Sequence, residues 1–89
     1  MKNLLQKDRE EVIYLNKNFY SKEAIRECVQ TYREFIYFNI EESERYVRVR
    51  IESKDRKSFP NKLLANEFKN YLVALEYKIL NSRKEKNGS

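Results

Sequence analysis

The sequence predicts an α+β domain with the element order β-α-β-β-α, and two kinds of periodicity carry that prediction. Apolar residues recur at intervals of three and four in two stretches, Ile25-Cys28-Val29-Tyr32-Ile36 and Leu64-Phe68-Tyr71-Leu72-Leu75-Ile79, as one face of a helix requires. Elsewhere the period falls to two or the run is short, apolar and β-branched, as in a strand.

Residues 1–10 are polar and unpatterned and are expected to form a flexible lead. Glu11-Val12-Ile13-Tyr14-Leu15 reads as the first strand, and Asn16-Lys17-Asn18 as a polar break. Ser21 offers an N-cap oxygen, and Glu23 places a carboxylate in the first turn against the helix dipole. The first helix then spans about 22–34, with Arg26, Glu27, Gln30, Arg33 and Glu34 on its polar side. Cys28 falls on the apolar side, where it reads as a small buried hydrophobe.

Ile36, Phe38 and Ile40 alternate with Tyr37, Asn39 and Glu41, and Val47, Val49 and Ile51 alternate with Tyr46, Arg48, Arg50 and Glu52. Joined by Glu42-Ser43-Glu44-Arg45, these runs predict a hairpin. A charged loop over 53–58 leads to Phe59-Pro60-Asn61; proline is tolerated at a helix start because its missing N–H would be unpaired there. The last helix is expected over 61–82, and residues 83–89 as a frayed basic tail, leaving one domain over 11–82.

A right-handed β-α-β crossover followed by a hairpin closes most simply with the third strand in the middle. The expected structure is therefore a two-layer sandwich, its sheet in the order 1-3-2 and both helices on one face. This is a ferredoxin-like arrangement lacking the last strand, with the edge of the first strand left open for pairing.

Composition narrows the function. The 89 residues include no His and one Cys, which removes the commonest general base, the commonest transition-metal ligand, an internal disulfide and a four-thiolate zinc site. No Ser/Cys–His pairing, phosphate-binding glycine loop or paired-cysteine spacing is present, and the adjacent carboxylates Glu10-Glu11 and Glu41-Glu42 alternate faces on an extended chain. The sequence thus predicts no enzyme and no cofactor. No signal peptide or membrane-length apolar run is evident, so a cytoplasmic protein is expected. The net charge of +5 is lopsided: residues 1–44 carry seven cations and nine anions, residues 45–89 twelve and five. A basic half fits nucleic acid, an acidic peptide, an acidic protein surface or simple solubility.

Three constellations are candidates for binding. Tyr37, Tyr46, Arg48 and Arg50 are expected on the outer sheet face, where single-stranded nucleic-acid binders place stacking and phosphate-contacting side chains; the plainer reading is a solvated face packed across strands. Val73, Tyr77 and Leu80 cluster within about 60° of the last helix, nearly opposite its core stripe, and suggest a contact with a partner or a second copy rather than incidental exposure. Val12, Ile13, Tyr14 and Leu15 form the strand edge that an extended peptide could extend, unless the lead or a second copy covers it.

Glu67-Phe68-Lys69-Asn70-Tyr71-Leu72-Val73-Ala74-Leu75-Glu76 resembles the Glu-Phe-x-Asn-x-x-hydrophobic segment that closes the HxsD-like family of the His-Xaa-Ser peptide-modification system. Tyr14-Leu15-Asn16-Lys17-Asn18-Phe19-Tyr20-Ser21-Lys22-Glu23-Ala24-Ile25 resembles the same family's strand, Asn-x-x-x-Tyr turn and helix opening, and the hairpin at 36–52 stands where the family has one. The chain departs from the family at Ala74-Leu75-Glu76-Tyr77, where a more polar Asp-Gln-containing run ending in Arg is common. The resemblance covers about 12–80 and implies a non-catalytic accessory protein acting beside a radical S-adenosylmethionine maturase and its ribosomally made precursor peptide. Of the motif residues, Phe68 is explained by core packing, while Asn70 lies off the core stripe and is a further partner-binding candidate. The alternatives from other classes are a basic single-strand-binding module and a structural homodimer.

Overall fold

The computed structural model describes residues 10–88, with side chains described through Ser82. The elements are β1 (Glu11–Asn16), α1 (Lys22–Tyr32), β2 (Ile36–Glu42), β3 (Tyr46–Ser53) and α2 (Asn61–Gly88), in the predicted order. The sheet is antiparallel throughout and ordered β1-β3-β2. Except for Glu10, the expected lead lies outside the described residues.

Alternation decides which face is covered. Ile13 and Leu15 of β1, Ile36 of β2, and Val47, Val49 and Ile51 of β3 form one core with Ala24, Ile25 and Cys28 of α1 and Leu64, Ala65, Phe68, Leu72 and Leu75 of α2. Both helices therefore lie on one face. Phe68 is the centre of this core, fully buried, with its ring 5.5 Å from Phe38 and 6.2 Å from Tyr32. The Cys28 thiol donates to the Phe68 carbonyl at 3.3 Å, and burial pushes its pKa up to about 12, so it is a packing group rather than a nucleophile.

Local chemistry sets the boundaries. The Ser21 hydroxyl accepts from the Ala24 N–H at 3.1 Å, as an N-cap should. The hairpin turns without any positive φ; the Ser43 N–H donates to the Tyr46 carbonyl at 2.8 Å and the Ser43 hydroxyl accepts from the Tyr46 N–H at 3.2 Å. Asn61, fully buried, anchors the start of α2 by accepting from the Ser53 N–H at 2.6 Å through Oδ1. Helix α2 does not end near 82 but continues to Gly88. Arg83-Lys84-Glu85-Lys86 are good helix formers, and no glycine or proline interrupts the helix before Gly88. At 28 residues the helix is about 42 Å long, and Ile79 is the last residue through Ser82 that packs on the core.

Candidate partner-binding surfaces

The outer sheet face carries the predicted side chains in a different arrangement. Cross-strand register sets Tyr14 and Glu41 on either side of Arg48, and Val12 and Asn39 on either side of Arg50. Arg48 Nη1 meets Glu41 Oε1 at 2.6 Å, and hydrogen bonds to Tyr14 and Glu41 push its pKa further up. Arg50 Nε lies 3.6 Å from Glu10 Oε1. Both guanidiniums are thus engaged by carboxylates of the same face. Tyr37 does not lie across from Tyr46, because the register pairs it with Glu52, six residues further along β3 and about 20 Å away. Its ring instead sits under the Lys54 ammonium, 5.0 Å from the centroid. Tyr37 is diagonal to Arg50 and remote from Tyr46, so the four residues lie in a row along the face rather than in one cluster.

The candidate strand edge also divides. The Lys17 N–H donates to the Arg45 carbonyl at 2.9 Å, which sets the phase of the antiparallel ladder. In that phase Ile13 and Leu15 point their backbone groups at Val49 and Val47 of β3, and their side chains are buried. Only Val12 and Tyr14 of the four turn both backbone and side chain outward. Ile13 and Leu15 are therefore core residues, not pairing positions.

On α2 the candidate residues share one exposed side. Val73, Tyr77 and Leu80 are 54%, 67% and 56% exposed, and Asn70, also exposed, continues the same side one turn earlier. The four fall within about 80° of the helix circumference, while Leu64, Phe68, Leu72 and Leu75 fill the core from the other side.

Two features escaped the sequence reading. Glu76 Oε2 accepts from the Ser21 N–H at 3.0 Å and from the Ser21 hydroxyl at 3.1 Å, which places a carboxylate of α2 at the N-terminus of α1 and clamps the helices together. The second is a groove of about 380 Å³ between α1 and β2, floored by Ile25, Val29, Ile40 and Val47 and rimmed by Lys22, Arg26, Arg33 and Glu42. Ile36, Val47, Val49 and Ile51 are buried on this face, yet Ile40 is 43% exposed because α1 packs chiefly on α2 and leaves this end of β2 uncovered.

Among the described residues no group of three His, Cys, Asp or Glu side chains is placed to hold a metal, and no helix is long and apolar enough to cross a membrane. Compared with protein families, residues 15–78 match the family described as His-Xaa-Ser system protein HxsD. The chain belongs to the HxsD family. HxsD membership brings an accessory role in a His-Xaa-Ser system. The HxsD match runs from the end of β1 to the last packed turns of α2, taking in Glu76, Val73, Tyr77 and the whole α1/β2 groove, while Val12, Tyr14 and Leu80 lie outside it. Searches of curated proteins and of solved structures each returned no match.

Proposed function

We propose that this HxsD-family chain is a non-catalytic binding protein of a radical S-adenosylmethionine peptide-modification system, and that it docks the maturase and presents the precursor peptide to it. One observation carries the reading: α2 has a second apolar stripe, Val73, Tyr77 and Leu80, on the side away from a core stripe that is already packed. A surface helix needs one apolar face to hold its fold; a second contiguous one stabilises nothing in the isolated chain. Tyrosine at the centre of such a patch, flanked by aliphatic side chains, suits the anchor of a protein interface. Val73, Tyr77 and Leu80 are each more than half exposed along this face.

The outer sheet face is a poorer candidate for a nucleic acid. Its two central arginines already have carboxylate partners, Glu41 and Glu10, which a phosphate would have to displace.

The test is capture of a radical S-adenosylmethionine maturase of a His-Xaa-Ser system on immobilised protein. Wild type retains the maturase, and Tyr77→Asp with Leu80→Asp releases it. Undiminished capture by the double variant removes the helix face from the account.

A further inference from the structure

We propose that the α1/β2 groove binds an extended peptide that adds as a strand to the free edge of β2, with apolar side chains in the groove and carboxylates at its rim. This rests on the reading of the chain as a peptide-presenting protein and says where and by what chemistry the peptide is held.

The backbone comes first. The Ser43 N–H bonds to the Tyr46 carbonyl, and the Lys54 N–H to the Phe35 carbonyl at 2.9 Å. Antiparallel pairing alternates, so Tyr37, Asn39 and Glu41 exchange hydrogen bonds with β3, and Phe38, Ile40 and Glu42 aim their N–H and C=O groups away from the sheet. Among the described residues nothing else pairs with that edge through the backbone. Such an edge is a template for another strand.

Side chains decide between the two edges. On β1 the outward backbone groups belong to Val12 and Tyr14, whose side chains face the open side of the sheet, and α2 packs against β1 and β3 on the other side. On β2 the outward groups belong to Phe38, Ile40 and Glu42, residues whose side chains face the helices. A strand paired with them sends alternate side chains into the space beneath α1, beside Ile40, Val29, Ile25 and Val47. From Lys22 to Arg33 the groove runs about 16 Å along α1, the length of about five extended residues.

Charge selects the peptide. Lys22, Arg26 and Arg33 line the groove, and Lys17 joins Lys22 at its continuation past Tyr20 and Ser21. Against these four cations stands Glu42, its pKa lowered by the hydrogen bond and charge of Lys17, with Lys22 adding to the effect. The rim is therefore net positive. It suits carboxylates on the groove side of the peptide, flanking the apolar residues, whereas carboxylates on the opposite side of the strand would run beside Glu41. Residues 1–9 carry three cations and one anion, the wrong charge for this rim.

The probe is a fluorescein-labelled peptide of the pattern glutamate-threonine-valine-threonine-leucine-threonine-glutamate, titrated with the whole chain and read by anisotropy. It is expected to bind wild type, and Arg26→Glu with Arg33→Glu, both exposed and so harmless to the fold, weakens it by about tenfold or more. Lysine in place of both glutamates abolishes binding, and so does proline in place of the valine, which removes a backbone donor that an antiparallel strand turns toward β2. Equal binding of the proline peptide, or indifference to the arginine reversals, overturns the proposal, as does failure of the glutamate peptide to bind wild type. A chain that dimerises by light scattering and loses the dimer in Ile40→Asp overturns it in favour of a second copy as occupant. Maturase capture, measured in parallel, separates the two readings: capture with no peptide binding sinks this proposal alone, and peptide binding without capture sinks the docking function alone.

Discussion

Replacing Glu76 tests whether the two helices are held as described. Its Oε2 takes two hydrogen bonds from Ser21, at 3.0 and 3.1 Å, across 55 residues of sequence. A hydrogen bond to a charged group contributes about 1.5–3 kcal/mol when well shielded. Glu76 is only half-buried, so about 1 kcal/mol for each bond is the appropriate scale, with about 0.5 kcal/mol more from a carboxylate at a helix N-terminus. Glu76→Ala should therefore cost about 2–2.5 kcal/mol and, for a domain of this size, lower Tm by about 10–15 °C. Glu76→Gln keeps an acceptor and should lose about half as much. Urea unfolding of Glu76→Ala, Ser21→Ala and the double variant should return a coupling of about 1 kcal/mol for the hydroxyl bond. A Glu76→Ala cost below about 0.5 kcal/mol, the range of ordinary surface substitutions, or strict additivity with Ser21→Ala, would refute the clamp.

Three further outcomes follow from the same geometry. Asn61→Ala strips the buried Ser53 N–H of its acceptor and should cost about 1–3 kcal/mol, read by chemical unfolding. Cys28, with its pKa raised to about 12 by burial, should resist iodoacetamide at pH 8 in the native protein and react at the ordinary rate in urea, which mass spectrometry reads directly. The lowered pKa of Glu42, caused first by its hydrogen bond from Lys17, means that the pair's stabilisation is complete above the ordinary glutamate value and is lost as pH falls through the lowered one. Thermal melts of Glu42→Gln should thus fall below wild type near neutral pH and converge with it in acid.

Much of this fold was legible in the sequence because its strands bury one face and its helices one stripe. Alternation in Val47-Arg48-Val49-Arg50-Ile51 specifies both a strand and its buried side, and Ser21 announces the helix start through the hydroxyl it presents to Ala24. The outward stripe Val73-Tyr77-Leu80 was readable for the same reason: helical geometry alone places it opposite Phe68. Periodicity carries no register, however. It assigned Tyr37 and Tyr46 to one face without showing that they stand at opposite ends of β3, and it could not tell Val12 and Tyr14 from Ile13 and Leu15 as edge positions. The end of α2 was missed because a polar, charged run without an apolar stripe gives the pattern nothing to follow, although its residues favour helix. The groove was invisible for a different reason. Ile40 fits the buried alternation of β2, and only the packing of α1 onto α2 leaves it uncovered. A carboxylate that caps another helix, as Glu76 does, likewise depends on a tertiary approach that no local signal encodes.

The central claim is that the outward face of α2 docks a maturase, and calorimetric titration of the maturase with this chain tests it most directly. The account predicts binding by wild type and a loss of about 100-fold or more in Tyr77→Asp with Leu80→Asp, two exposed positions whose replacement leaves Tm nearly unchanged. Affinities of wild type and double variant that agree within about twofold would contradict it.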